Sequence, residues 1–123
     1  MIHVASIERS VEFYRLLGFE IGNREPHEGP PHWVWLYAPK APEWRRGANL
    51  MLTRTKEHIA PDAQRVLLYV YVADVVAQRD QLIATGVAAG EITHPPYLRD
   101  GEFETKDPDG YVLMIAQAGP DTP

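Results

Sequence analysis

Glu102 and Glu104 carry the side-chain types and spacing best suited to chemistry in this chain. They alternate with Phe103 and Thr105, so on a strand the two carboxylates share a face. If Phe103 packs toward a helix, both carboxylates face a cavity, where they could pair with a cationic ligand or act as general bases. The other reading, two solvated charges on a strand near a rim, stays open from sequence. His3 is a third candidate acid–base group. The sequence holds no Ser-His-Asp arrangement, no HExxH and no phosphate-cradling glycine loop. No catalytic residue is therefore assigned, and Glu102, Glu104 and His3 remain candidates.

Binding chemistry is more legible. Trp33, Trp35 and Tyr37 alternate along one face of a strand expected over 32–37, leaving Val34 and Leu36 for the side that meets a helix. Period-two alternation groups Asn49, Met51 and Thr53 on one face of their expected strand, Leu67, Tyr69 and Tyr71 on one face of theirs and Val112 with Met114 on one face of the last, and these faces, with His3 of the first strand, form one concave side if Met51, Leu67 and Met114 mark it. Met51, Tyr69, Tyr71 and Met114 are expected to line one hollow. An aromatic and thioether lining of this kind suits a flat or hydrophobic small molecule. The same side chains would also serve as a closed core or a dimer seam. Arg99 and His94, on the loop before Glu102, are placed to gate an opening.

The elements that position these residues begin from one turn. Asp107-Pro108-Asp109-Gly110 carries turn chemistry at every position, so a strand over 111–117 starts directly after it. Gly47-Ala48-Asn49-Leu50-Met51-Leu52 repeats Gly110-Tyr111-Val112-Leu113-Met114-Ile115. A second pair of landmarks repeats in the same order: Val4-Ala5-Ser6 leads a helical pattern that Gly18 stops, and Val72-Ala73-Asp74 leads one that Gly86 stops. The chain reads as two copies of one module.

In order, the first module has a strand over 2–5, an N-cap at Ser6 and a helix with Ile7, Val11 and Tyr14 on one face. Strands over 19–23, 32–37 and 48–54 follow, with loops over 26–31 and 39–46. A polar linker spans 55–64. The second module has a strand over 66–72, an N-cap at Asp74 and a helix to about 85 with Val75, Val76, Leu82 and Ile83 as its buried stripe. A weak strand over 88–93, a loop over 94–96 and strands over 102–106 and 111–117 complete it. Each module is βαβββ, the pair giving eight strands and two helices in an α+β fold.

Composition limits the function classes. With 123 residues, 45% hydrophobic and 24% charged, the chain has one domain's worth of sequence, and we read 1–123 as a single domain of modules 1–54 and 65–117. A formal net charge of −5 argues against a nucleic-acid surface and mildly favours cationic ligands. The absence of cysteine rules out disulfides, thiolate ligands and a Cys nucleophile. With no apolar run long enough for a membrane span and no secretory leader in the sequence as given, a cytoplasmic protein without membrane partners is expected.

The segment Val4-Ala5-Ser6-Ile7-Glu8-Arg9-Ser10-Val11-Glu12-Phe13-Tyr14 with Leu17-Gly18-Phe19 resembles the first-helix signature of the vicinal oxygen chelate superfamily, and Lys106-Asp107-Pro108-Asp109-Gly110 resembles its final turn. That superfamily includes glyoxalase I, extradiol dioxygenases, fosfomycin-resistance enzymes and bleomycin-resistance proteins. The resemblance implies two βαβββ modules forming a curved mixed sheet whose concave face holds the ligand. Its enzymes hold a divalent metal with His, Glu or Gln at four strand positions. Carried over, three of these fall at Met51, Leu67 and Met114, while the fourth would precede Met1 on the strand that carries His3. Thioether and alkyl groups are not donors for hard or borderline divalent ions. The resemblance thus implies no metal or other cofactor, a small organic ligand and a homodimer close to the metal-free bleomycin-resistance proteins. The expected ligand-binding residues are His3, Trp33, Trp35, Asn49, Met51, Leu67, Tyr69, Tyr71, Glu102, Glu104 and Met114. The alternative is a lyase, isomerase or dioxygenase of the glyoxalase kind, using a relocated metal or carboxylate acid–base chemistry.

Overall fold

The computed structural model describes residues 1–40, 47–63 and 65–120, so part of the loop expected over 39–46 and one residue of the linker lie outside the described residues. The chain divides into two compact units, Met1–Ala60 and Pro61–Pro123.

The first unit contains β1 (Ile2–Val4), α1 (Ile7–Leu16), β2 (Glu20–Glu25), β3 (Trp33–Tyr37) and β4 (Asn49–Arg54), with the sheet order β1-β4-β3-β2. β1 and β4 run parallel and the other neighbours antiparallel, so the sheet is mixed. Ser6 caps α1, its hydroxyl oxygen accepting from the Arg9 N–H at 3.3 Å while Glu8 lies in the first turn. The helix lays Ile7, Val11, Phe13 and Tyr14 onto the sheet, where they meet Val4, Val34, Leu36 and Leu52, all nearly fully buried. Burying each large aliphatic or aromatic side chain contributes about 1.5–3 kcal/mol before entropy is counted. Tyr14 meets the rings of Phe13 and Phe19 edge-on at 5.2 and 6.1 Å.

The second unit contains a short 3₁₀ turn (Pro61–Ala63), β5 (Leu67–Val72), α2 (Val75–Ala84), β6 (Glu102–Lys106) and β7 (Val112–Gln117), in a mixed sheet of order β5-β7-β6. Asp74 accepts from the Ala77 N–H at 2.9 Å, and the Gln117 side chain accepts from the Val75 N–H at 2.9 Å, so two side chains satisfy the start of α2. The Asp107 carboxylate accepts from the backbone N–H groups of Asp109 and Tyr111, both at 2.9 Å, which fixes the turn into β7. Gly110 has φ of 84° there, and a Cβ on it would stand 2.4 Å from Pro61.

Repetition extends to single hydrogen bonds. The Val4 carbonyl accepts from the Thr55 N–H at 2.9 Å, and the Val72 carbonyl accepts from the Ala118 N–H at 2.8 Å, so each parallel pair is locked at the same point of its module. The two helices end alike, with Gly18 and Gly86 at φ of 86° and 83°.

Two expectations need correction. The strand over 88–93 is reduced to two isolated bridges, Ala89 with Thr105 and Thr93 with Glu102, so the described residues hold seven strands in two sheets and not eight. Three residues separate these bridges on one side and two on the other, a slip that stops a continuous ladder. Ala88, Ala89 and Gly90 also lack the β-branched side chains that would hold it. The same slip occurs in the first module, between Ile21 and Asn23 of β2, but there five residue pairs survive around it. The buried stripe of α2 is also narrower than expected: Val75 and Leu82 are buried, whereas Val76 and Ile83 are 55% and 47% exposed. Neighbouring residues lie about 100° apart around a helix, and the sheet covers only one side of it.

Candidate functional site

Each sheet packs one face on its helix and leaves the other open. In the first unit, Val34, Leu36 and Leu52 point to α1, so alternation sends Trp33, Trp35 and Tyr37 of β3 and Asn49, Met51 and Thr53 of β4 to the open side. The register sets Trp35 opposite Met51, Tyr37 opposite Asn49 and Trp33 opposite Thr53, with His3 of β1 on the far side of Thr53. The Trp35 indole N–H donates to the Asn49 side-chain oxygen at 2.9 Å, and the Asn49 amide donates back to the Gly47 carbonyl at 2.8 Å. Trp35 and Tyr37 stack at 5.4 Å with 16° between their planes. Beneath the stack is Gly22, where a Cβ would lie 2.3 Å from the indole. The bulge in β2 and its glycine therefore make room for the aromatic pair.

In the second unit, Leu113 and Ile115 of β7 and Phe103 of β6 are buried on the helix side. Tyr69, Met114 and Glu104 then form one cross-strand row on the open side, with Leu67, Val112 and Lys106 as a second and Tyr71, Ala116 and Glu102 as a third. Leu67, Tyr69 and Tyr71 are 52%, 41% and 38% exposed, and the two tyrosine rings lie 5.8 Å apart. Clusters of exposed apolar side chains are common on surfaces that meet ligands or other proteins.

The two carboxylates divide between the readings that sequence left open. Glu104 is exposed, as the solvated-charge reading expects, whereas Glu102 is only 3% exposed and accepts from two phenols. The Tyr69 hydroxyl donates to one carboxylate oxygen in a short hydrogen bond, and the Tyr97 hydroxyl donates to the other at 2.7 Å. The hydrogen bond to Glu102 holds the Tyr69 hydroxyl well above the ordinary phenol value, with partial burial adding to the effect, and raises the Tyr97 hydroxyl for the same leading cause. Both phenols stay protonated and donating through the physiological range.

Tyr97 is the residue that sequence reading missed. It lies on a loop after Pro95 and Pro96, in no strand whose period could point it anywhere, and the one available signal is an aromatic placed five residues before a candidate carboxylate. His94 and Arg99, expected to gate an opening, instead tie this loop across its base through a 2.8 Å contact between the His94 Nδ1 and the Arg99 carbonyl.

Among the described residues one cleft of about 490 Å³ is bounded by Arg15, Phe19, Glu20 and Lys40, and another of about 420 Å³ by Ala88 and Gly90 with Glu104 and Lys106 of the open face. Among the described residues no three His, Asp or Glu side chains group so as to hold a metal ion. Met51, Leu67 and Met114, onto which the resemblance carries metal-ligand positions, present thioether and alkyl groups on the open faces, a donor set that does not fit a hard divalent ion.

Two units, each a mixed sheet with a helix on one face, one of four strands and one of three, define a class of fold, and the sequence agrees with it. Residues 1–115 match the Glyoxalase/Bleomycin resistance protein/Dioxygenase superfamily, and the chain belongs to that superfamily. A bleomycin-binding protein solved in complex with bleomycin is similar over 96% of this chain and 94% of its own, with a TM-score of 0.70 and 16% identity. TnmS3, an antibiotic-binding protein from Streptomyces sp. CB03234, is similar over 96% and 93%, with a TM-score of 0.64 and 24% identity. A glyoxalase/bleomycin resistance protein from the same Streptomyces strain is similar over 94% and 96%, with a TM-score of 0.60 and 25% identity. No functionally curated protein matches the sequence.

Proposed function

We propose that this protein binds a small organic molecule, without a metal, on the aromatic and thioether-lined sheet faces of its two modules. The observation that carries the reading is the open face itself: where a solvated sheet would show polar residues, these sheets present Trp33, Trp35, Tyr37 and Met51, and Leu67, Tyr69, Tyr71 and Met114. Tyr and Trp supply rigid area with a polar tip, and Met adapts to the ligand's shape. The bleomycin-binding and antibiotic-binding relatives support a sequestering role, in which a toxic aromatic or cationic compound such as an antibiotic is held rather than transformed. His3, Asn49, Glu102 and Glu104 would supply the polar contacts. In this reading 1–54 and 65–117 act as one domain joined by 55–64, working as a cytoplasmic homodimer with no nucleic-acid or membrane partner.

A second reading, carboxylate acid–base catalysis by a lyase or isomerase, rests on the burial of Glu102, since Glu104 and His3 are exposed. The experiment that separates the two is a thermal-shift screen of flat aromatic and antibiotic-like compounds, run with and without chelator and followed by mass spectrometry of each hit after incubation. Stabilisation that survives chelator, with the compound recovered intact, is the expected result. A hit recovered chemically altered would favour the enzyme, and stabilisation abolished by chelator would overturn metal independence.

A further inference from the structure

Glu102 is a buried carboxyl group held by hydroxyls. Its carboxylate is 3% exposed, yet its side-chain partners are two neutral phenols, and no Lys, Arg or His side chain among the described residues pairs with it. A buried carboxylate is costly unless hydrogen bonds and an opposite charge compensate it. Two phenol hydrogen bonds do part of this, and they occupy two of about four acceptor directions that an ionised carboxylate offers.

The surroundings suit a cation. The rings of Tyr69 and Tyr71 stand side by side at 5.8 Å on β5, from which the Tyr69 hydroxyl reaches Glu102, and an ammonium near a tyrosine face gains electrostatic attraction. Met114 and Ala116 lie between β5 and β6, so the floor is apolar. Tyr97 differs from Tyr69 in its attachment: it is 75% exposed, on a loop, and touches the carboxylate with its hydroxyl at 2.7 Å. The loop is closed on both sides of it, by the contact of His94 with the Arg99 carbonyl and by the Gly101 N–H donating to the Leu98 carbonyl at 3.2 Å. Rotation of this one exposed side chain would release the carboxylate oxygen it binds while the loop backbone stays tied.

We propose that Glu102, Tyr69 and Tyr97 form an ammonium-recognition site, in which the protonated amine of an aromatic ligand takes the place of the Tyr97 hydroxyl on the Glu102 carboxylate while Tyr69 holds the other oxygen. This rests on the small-molecule reading above and narrows its ligand to an organic cation. Tyr97 acts as a cap that satisfies the carboxylate when no ligand is bound, and it therefore competes with the amine.

The test uses three probes with one indole body: tryptamine, the neutral alcohol tryptophol, and indole-3-propionate. Binding is followed by amide chemical shifts in ¹⁵N spectra of the full chain. Tryptamine is expected to bind at least tenfold more tightly than tryptophol, indole-3-propionate more weakly than either, and the shifts to centre on 69, 97 and 102. Glu102→Gln keeps an oxygen to accept from one phenol and offers an amide N–H to the hydroxyl oxygen of the other, so it should fold; it should erase the preference for tryptamine. Tyr97→Phe removes the competing hydroxyl and should tighten tryptamine severalfold and tryptophol by less, widening the preference for the amine. Equal affinities for tryptamine and tryptophol, or a preference that survives Glu102→Gln, would overturn the ammonium site and leave the small-molecule reading intact. If none of the three probes shifts this face, both fall.

Discussion

Replacing Gly22 with Ala tests whether the bulge in β2 is what positions the aromatic face. Gly22 is outside the left-handed region, so alanine meets no backbone penalty there, and the added Cβ would stand 2.3 and 2.4 Å from two atoms of the Trp35 ring. No carbon contact is that short, so the indole must leave. It would take with it the stack on Tyr37, worth about 0.5–1.5 kcal/mol, and the hydrogen bond to Asn49, worth about 0.5–1.5 kcal/mol. Loss of glycine's freedom in the unfolded chain returns about 0.4–1 kcal/mol. At mid-range the balance is a loss of about 1.3 kcal/mol, or a fall in Tm of about 5 °C for a chain of this size. Thermal melts give the first readout and the near-ultraviolet circular dichroism of the stacked pair the second. Gly119→Ala is the control, since its Cβ would meet nothing closer than 3.5 Å. A Gly22→Ala protein that melts with the parent and keeps its aromatic signal would refute the packing argument.

Asp107→Ala removes the acceptor of two backbone N–H groups at the turn into β7 and should cost about 1–3 kcal/mol in urea unfolding, with Asp107→Asn losing less because one acceptor oxygen remains. Because the folded state holds the Tyr69 proton more tightly than the unfolded chain, its stabilising contribution is complete below the ordinary phenol value of 10 and fades as pH rises above it. Melts between pH 8 and about 11 should therefore show a decline that Tyr69→Phe flattens; identical slopes in the two proteins would contradict the assignment. Light scattering at micromolar concentration should give twice the chain mass, and a monomer would leave the exposed apolar faces to the ligand alone. Purified protein should carry no stoichiometric divalent metal and should melt at one temperature with or without chelator. A bound ion on the side chains of Met51, Leu67 or Met114 would contradict the donor argument.

Local chemistry in the sequence was enough to lay out the modules. Ser6 and Asp74 declare helix starts because a short oxygen-bearing side chain can satisfy a free N–H, and Asp-Pro-Asp-Gly declares a turn because each residue favours one. Strand faces were legible as well, since alternation is a property of the backbone: Trp33, Trp35 and Tyr37 had to share a side once Val34 and Leu36 were buried. What sequence could not supply was anything that depends on partners distant along the chain. The segment over 88–93 has a strand's place in the repeat, but its slip against β6 belongs to the pairing and not to the segment. Val76 and Ile83 fit a helical stripe, yet how much of a helix is covered depends on the width of the sheet beneath it. Glu102 and Glu104 have the same type and parity, and only the arrival of Tyr69 from one strand and Tyr97 from one loop makes the first a buried, doubly hydrogen-bonded carboxylate while the second stays in solvent. Parity is fixed by neighbours in sequence, whereas burial and hydrogen-bond partners are fixed by neighbours in space.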